Sequence, residues 1–174
     1  MRCLIVVDYQ VDFVTGSLGF PAALRLEHPI AAKIARYHAN GDQVVFTLDA
    51  HGENYRLTRE GKYLPVEHCR RGTPGCALYG SVAQAKHSQD ICFEKDTYGS
   101  PELFDWLRQQ SFDVLEFVGV VTQVCVLANV MLAQTALPEA SIVIDTDCVA
   151  SPDPALHRAA LDVLESLHIH VTRR

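Results

Sequence analysis

The chain has no long apolar run. None of its hydrophobic stretches approaches the roughly 20 residues needed to cross a bilayer, which excludes a helical membrane span. It has no basic tract either. Its 15 Lys and Arg are set against 21 Asp and Glu, for a net charge of −6, and their only clusters are the pairs Arg70-Arg71 and Arg173-Arg174. Nucleic acid and anionic membrane are thereby excluded as partners. The first apolar run, Cys3 to Val7, is too short for a secretion signal and is cut by Asp8, so a cytoplasmic protein is expected. Repeats, low-complexity tracts and an interdomain linker are also missing, and 174 residues suit one domain spanning 1–174. With 48% hydrophobic and 21% charged residues the chain is not a disordered one. The six cysteines (Cys3, Cys69, Cys76, Cys92, Cys125 and Cys148) fall partly inside apparent strands. They are expected to be reduced thiols, mostly small buried hydrophobes.

What the chain does have is an alternation of short apolar runs and helical patterns. Strands are predicted at Arg2–Val7, Gln43–Leu48, Ile91–Glu94, Val114–Val118, Ser141–Ile144 and His168–Thr172. Between them, helices are predicted at Pro29–Asn40, Ser81–Lys86, Pro101–Gln110, Leu127–Leu137 and Pro154–Leu167, the last with an apolar stripe through Leu156, Ala159, Ala160, Val163, Leu164 and Leu167. Tyr9–Glu27 and the long segment Ala50–Tyr79 are expected to be loops, the second too long to lack a use. This order predicts an α/β fold: a single-domain, doubly wound, mostly parallel sheet of about six strands with helices on both faces. Ligands of such sheets bind beyond the carboxyl ends of the strands. Asp8, Asp49, Lys95, Thr122 and Asp145 all follow predicted strands and would share that edge.

The stretch Gly119–Val126, GVVTQVCV, reads as a strand-to-helix elbow. Thr122 is expected to cap the helix, leaving Cys125 in its first turn, where free amides favour a thiolate. A cysteine nucleophile needs a base to take its proton, or a positive neighbour to hold the thiolate. Asp8 and Lys95 are the candidates from the same edge. Taken singly, each has a plainer reading: a turn cap for Asp8, a solvated lysine for Lys95, a buried filler for Cys125.

Three pieces, DYQVDF at Asp8–Phe13, Glu94-Lys95 and GVVTQVCV, together resemble the isochorismatase-like cysteine hydrolase superfamily, in order and spacing along nearly the whole chain. The resemblance implies a catalytic triad of Asp8, Lys95 and Cys125. It also implies a cis peptide between Val120 and Val121, and an oxyanion hole from the Val121 and Cys125 amides. The chain departs from the pattern at Gln123, where many relatives carry aspartate.

Asp49, His51 and His68 offer a carboxylate and two imidazoles, donors that suit zinc, iron or manganese. Glu60 is a candidate fourth ligand. Within the superfamily, such an Asp-His-His set is similar to that of nicotinamidases. It implies one divalent metal ion, zinc first with iron or manganese as alternatives, that holds a pyridine nitrogen. Phe13 and Tyr98 would line the ring pocket. The expected activity is amide hydrolysis, nicotinamide plus water giving nicotinate plus ammonia through a thioester, a reaction of NAD salvage. The partner is then a small carboxamide, and by family analogy the chain is expected to form a homo-oligomer. The alternatives are a relative acting on another small amide, ureide or vinyl ether, a catalytically dead binding relative, and a phosphoryl-accepting signalling domain. That last class would show paired acidic residues after the first strand, where this chain has Tyr9 beside Asp8.

Overall fold

A computed structural model describes residues 1–172; the Arg173-Arg174 pair lies outside the described residues. Its framework is one sheet of six strands: β1 (Arg2–Val7), β2 (Gln43–Asp49), β3 (Ile91–Lys95), β4 (Val114–Val120), β5 (Ser141–Ala150) and β6 (His170–Thr172). They lie in the order β3-β2-β1-β4-β5-β6, and every neighbouring pair is parallel. β1 sits in the middle and is buried on both faces, which is why Cys3–Val7 is apolar without alternation. Cys3, Ile5 and Val7 face one core and Leu4 and Val6 the other.

The first core is closed by α6 (Pro101–Leu107), α7 (Leu127–Ala136) and α8 (Pro154–Ser166) through Leu103, Leu107, Val130, Ala133, Leu161 and Leu164. The second is closed chiefly by α3 (Glu27–Ala39) and α5 (Gly80–Ala85), through Ile30, Ile34, Tyr37 and Val82. Each such aliphatic side chain contributes about 1.5–3 kcal/mol by leaving water. α3 stops as its sequence requires, with Asn40 as C-cap and Gly41 in the left-handed region at φ 72°. α6 and α8 each begin at a proline behind a capping side chain, Ser100 and Asp153.

Four sequence expectations are corrected. The segment Tyr9–Glu27 is not all loop: it holds α1 (Val11–Val14) and α2 (Pro21–Leu24). The segment Ala50–Tyr79 contains 3-10 turns at Tyr55–Leu57 and Pro74–Cys76 and α4 (Arg59–Tyr63), and two isolated bridges tie it down, His51 to Arg70 and Gln10 to Leu78. The buried face of α8 runs through Ala160, Leu161 and Leu164, while Leu156 and Val163 are exposed. Asp145 does not end its strand. β5 runs on to Ala150, and its register against β4 shifts between Phe117 and Gly119. Asp145 instead pairs with Lys33 at 2.6 Å, and Lys33 also pairs with Glu116, which accepts the Tyr37 hydroxyl. This is a buried ionic cluster under α3, and it keeps Asp145 out of the edge group.

Candidate active site

β1, β2 and β3 end in register, so the residues that follow them meet. Asp49 is the Cα partner of Lys95, and Val7 pairs with Thr47 and with Gly119. Asp8 turns away from β1 at φ 48°, a region that aspartate tolerates better than most residues. Its Oδ1 accepts the Thr47 hydroxyl at 2.6 Å and its Oδ2 lies 2.7 Å from Lys95 Nζ. The same ammonium lies 3.7 Å from Cys125 Sγ and 3.5 Å from Asp49 Oδ1. Asp8, Lys95 and Cys125 are all buried.

Burial sets the charges of this group. It pushes the Asp8 carboxyl up from its ordinary value, with Lys95 only partly opposing. Lys95 would itself be depressed by burial, but Asp8, Cys125 and Asp49 together raise it, so it stays an ammonium. Cys125 is pushed well up by burial and then by Asp8, against the pull of Lys95. Burial and Asp8 thus work against the thiolate that the helix start favours, so the sulfur needs a base to lose its proton.

The elbow is also built differently from its sequence expectation. Thr122–Val126 is a π-helical turn leading into α7, and its N-cap is Val121, whose carbonyl accepts from Val124 and Val126. Thr122 makes no capping bond; its hydroxyl lies 2.9 Å from His157 Nδ1 of α8. The Val120–Val121 peptide is cis. Gly119 just before it has φ 115°, and a Cβ there would overlap the Val7 carbonyl oxygen, so only glycine lets β4 lie this close to β1. One residue absent from the sequence reasoning fixes the elbow. Buried Asn129 donates to the carbonyls of Cys125 at 2.8 Å and Tyr98 at 3.2 Å, and accepts the Ser100 amide at 2.9 Å.

The metal-type group is assembled by the long segment after β2. The His51 amide donates to Cys69 O and the Arg71 amide to His51 O, folding the chain back until His68 reaches His51. His51 Nε2 lies 2.9 Å and His68 Nε2 3.2 Å from the same oxygen, Asp49 Oδ2, and the three ligand atoms all fall within 4.8 Å of one another. Ligands about 2.1 Å from a tetrahedral zinc stand roughly 3.4 Å apart, so the three fit one ion. His68 Nδ1 bonds the Val66 carbonyl at 2.8 Å, which leaves Nε2 as the nitrogen available to a metal ion. Glu60 Oε1 stands 3.6 Å from His68 Nε2. Burial acts to raise the Asp49 pKa, but bonds to both histidines, with Lys95, hold it far below the carboxylate range. Burial lowers the His68 pKa, and Asp49 and the Val66 carbonyl more than offset it, leaving it raised. Buried Tyr55 wedges against both imidazoles, with ring centroids 4.6 Å from His51 and 5.1 Å from His68.

Gln10 and Asp12, inside the DYQVDF motif at the start of α1, fix this group from the segment that follows β1. Gln10 Oε1 accepts the Asp49 amide, and its Nε2 donates to the Asp49 and Cys76 carbonyls, each at 2.8 Å. Asp12 Oδ2 accepts the Cys69 amide at 2.7 Å, directly after His68.

Both groups open on one cavity of about 250 Å³. Cys125, Val121 and Gln123 line one side, and Asp49, Glu60 and His68 another. Phe13, Leu18, Leu64, Tyr98, Val124 and Pro152 complete it, Phe13 with its ring centroid 5.4 Å from His68.

Among proteins of known family, the Isochorismatase domain matches residues 2–174. The nicotinamidase/pyrazinamidase of Mycobacterium tuberculosis is 33% identical over 146 residues, 72% of this chain and 75% of that protein. The crystal structure of the nicotinamidase/pyrazinamidase from Bacillus subtilis superposes with a TM-score of 0.87 at 31% identity, covering 99% of each chain. That of the pyrazinamidase of Pyrococcus horikoshii in complex with zinc gives 0.86 at 26%, again over 99% of each. The chain belongs to the isochorismatase family of hydrolytic enzymes.

Proposed function

We propose that the protein is a metal-containing nicotinamidase, hydrolysing nicotinamide to nicotinate and ammonia. One observation carries this reading. A buried Asp8–Lys95–Cys125 group and a convergent Asp49–His51–His68 group sit at one cavity small enough for a single aromatic ring. The relatives named for nicotinamide and pyrazinamide hydrolysis support it.

Asp8, with its raised proton affinity, takes the Cys125 proton as the sulfur attacks the carboxamide carbon. The Val121 and Cys125 amides receive the developing oxyanion. The tetrahedral intermediate collapses as Asp8 returns the proton to the departing nitrogen, releasing ammonia and leaving a thioester. A water then attacks that carbonyl and gives a proton to Asp8, which passes it to sulfur as nicotinate leaves. Lys95 remains an ammonium throughout and compensates the charge shared by Asp8 and Cys125. Asp49, His51 and His68, with Glu60 beside them, would hold a divalent ion, zinc in this reading. That ion would supply a Lewis-acid anchor for the ring nitrogen. Phe13 and Tyr98 flank the ring and orient it.

The test is ammonia release from nicotinamide by the purified enzyme, with metal analysis. About one divalent ion per chain, loss of activity on chelation, and none in Cys125→Ala are expected. Full activity of metal-free protein, or normal turnover by Cys125→Ala, would refute the reading.

A further inference from the structure

Two side chains hold the elbow that carries Cys125. Asn129 holds it behind the nucleophile, through the Cys125 carbonyl. The other hold is at Thr122, the residue after Val121 and the cis bond. Thr122 is wholly buried, and its hydroxyl has one hydrogen-bond partner among the described residues, Nδ1 of His157 at 2.9 Å. A buried hydroxyl proton needs an acceptor, so the hydroxyl donates and Nδ1 accepts. The imidazole is then the neutral tautomer with its proton on Nε2. Burial, with Arg158 beside it, lowers the His157 pKa and favours the same neutral form. The His157 amide in turn donates to the Asp153 carbonyl at 2.9 Å, and Asp153 caps α8 through the Ala155 and Leu156 amides. The Thr122–His157 bond thus ties the start of the π-helical turn to the first turn of α8.

We infer that His157 is a positioning residue for amide hydrolysis: by accepting the Thr122 hydroxyl it sets the Val121 amide toward the developing oxyanion. The inference rests on the amidase reading above. His157 acts through Thr122, because it lines a groove with Arg36, Asp147 and Ser151 and not the cavity of Cys125. Without its acceptor, the hydroxyl turns to carbonyls of its own segment, as threonine side chains do. The Val121 amide just before it then loses its aim. Cys125 keeps its place, because Asn129 and Lys95 reach it independently. Substrate binding is therefore little changed, and the loss falls on the step that forms the oxyanion.

The experiment measures kcat and KM for nicotinamide, and alkylation of Cys125 by iodoacetamide without substrate, in the zinc-loaded wild type, His157→Leu, His157→Asn and Thr122→Val. In His157→Leu, kcat is expected to fall about 10- to 100-fold, with KM within about threefold of the wild type. Alkylation forms no oxyanion, so its rate should stay within about twofold. His157→Asn carries an acceptor oxygen on the γ-carbon, where histidine bears Nδ1, and should keep kcat within about threefold of the wild type. Thr122→Val removes the donor and should resemble His157→Leu, and the double variant should be no slower than the slower single one. Where His157→Leu does not fold, Thr122→Val against His157→Asn decides the same question. An unchanged kcat in His157→Leu or Thr122→Val, an asparagine variant as slow as the leucine one, or alkylation that falls in step with kcat overturns the inference and leaves the amidase reading standing. A wild type that releases no ammonia from nicotinamide overturns both together.

Discussion

Replacing Gln10 with alanine tests how the strand edge holds the metal-type group. Gln10 is wholly buried, and its side chain is saturated: one accepted bond from the Asp49 amide, two donated to the carbonyls of Asp49 and Cys76. Truncation leaves three backbone groups without that partner. Each buried unsatisfied group costs about 1–3 kcal/mol, and water entering the space left by the side chain recovers part of this. The expected loss is about 3–5 kcal/mol, a large share of an ordinary domain's stability. It is read from the denaturation midpoint at unchanged slope. Because the same bonds fix the Asp49 backbone, zinc affinity by calorimetry should fall about 10- to 100-fold. Gln10→Glu separates shape from chemistry. It fills the same space and still accepts from Asp49, but it turns a carboxyl oxygen toward two carbonyls, so it should be no better than alanine. A loss below about 1 kcal/mol with unaltered zinc affinity, or a Gln10→Glu protein as stable as the wild type, would refute the reasoning.

Removing Lys33 with methionine leaves Glu116 and Asp145 buried without their shared cation, and should cost about 3 kcal/mol of stability by chemical denaturation while leaving ammonia release unaffected. Gly119→Ala forces a methyl into the Val7 carbonyl at a φ that alanine resists, and should cost more than about 4 kcal/mol or prevent folding, as judged by expression and circular dichroism. Since burial and Asp8 hold the Cys125 proton, alkylation of Cys125 in the free enzyme should keep accelerating with pH beyond 9; peptide-resolved mass spectrometry finding a plateau below pH 8 would contradict this.

Much of the sheet was legible in the sequence because the central strands are buried, so β1, β2 and β4 appear as mostly apolar runs, broken only by Thr47 in β2 and Glu116 in β4. Edge strand β3 shows only Ile91, Cys92 and Phe93. The edge residues were legible for the same reason: a charged residue closing such a run, as Asp8, Asp49 and Lys95 do, marks where the strand leaves the core. Asp145 followed that rule and broke it. Its apolar run ends there, yet β5 continues because the strand shifts register, and the carboxylate is accommodated by Lys33 from α3. That pairing spans 112 positions and leaves no local signal. The short helices at 11–14, 21–24 and 59–63 were illegible because they are one turn long, and helical periodicity needs more than that to show.

The cysteine shows where local rules stop. Position at a helix start argues for a thiolate and Lys95 assists it, while burial, Asp8 and Asp49 hold the proton on sulfur. The consequence is mechanistic. A preformed thiolate would make Asp8 a spectator of the resting state. A thiol makes Asp8 necessary from the first step, and gives Lys95 the task of keeping one negative charge tolerable on either partner as the proton moves between them. Asn129, which holds the Cys125 carbonyl, serves this demand, while Gln10 and Asp12 hold the metal-type group beside it. A proton exchanged between two buried groups requires their spacing to hold, and each of these three side chains fixes backbone rather than touching the reacting atoms.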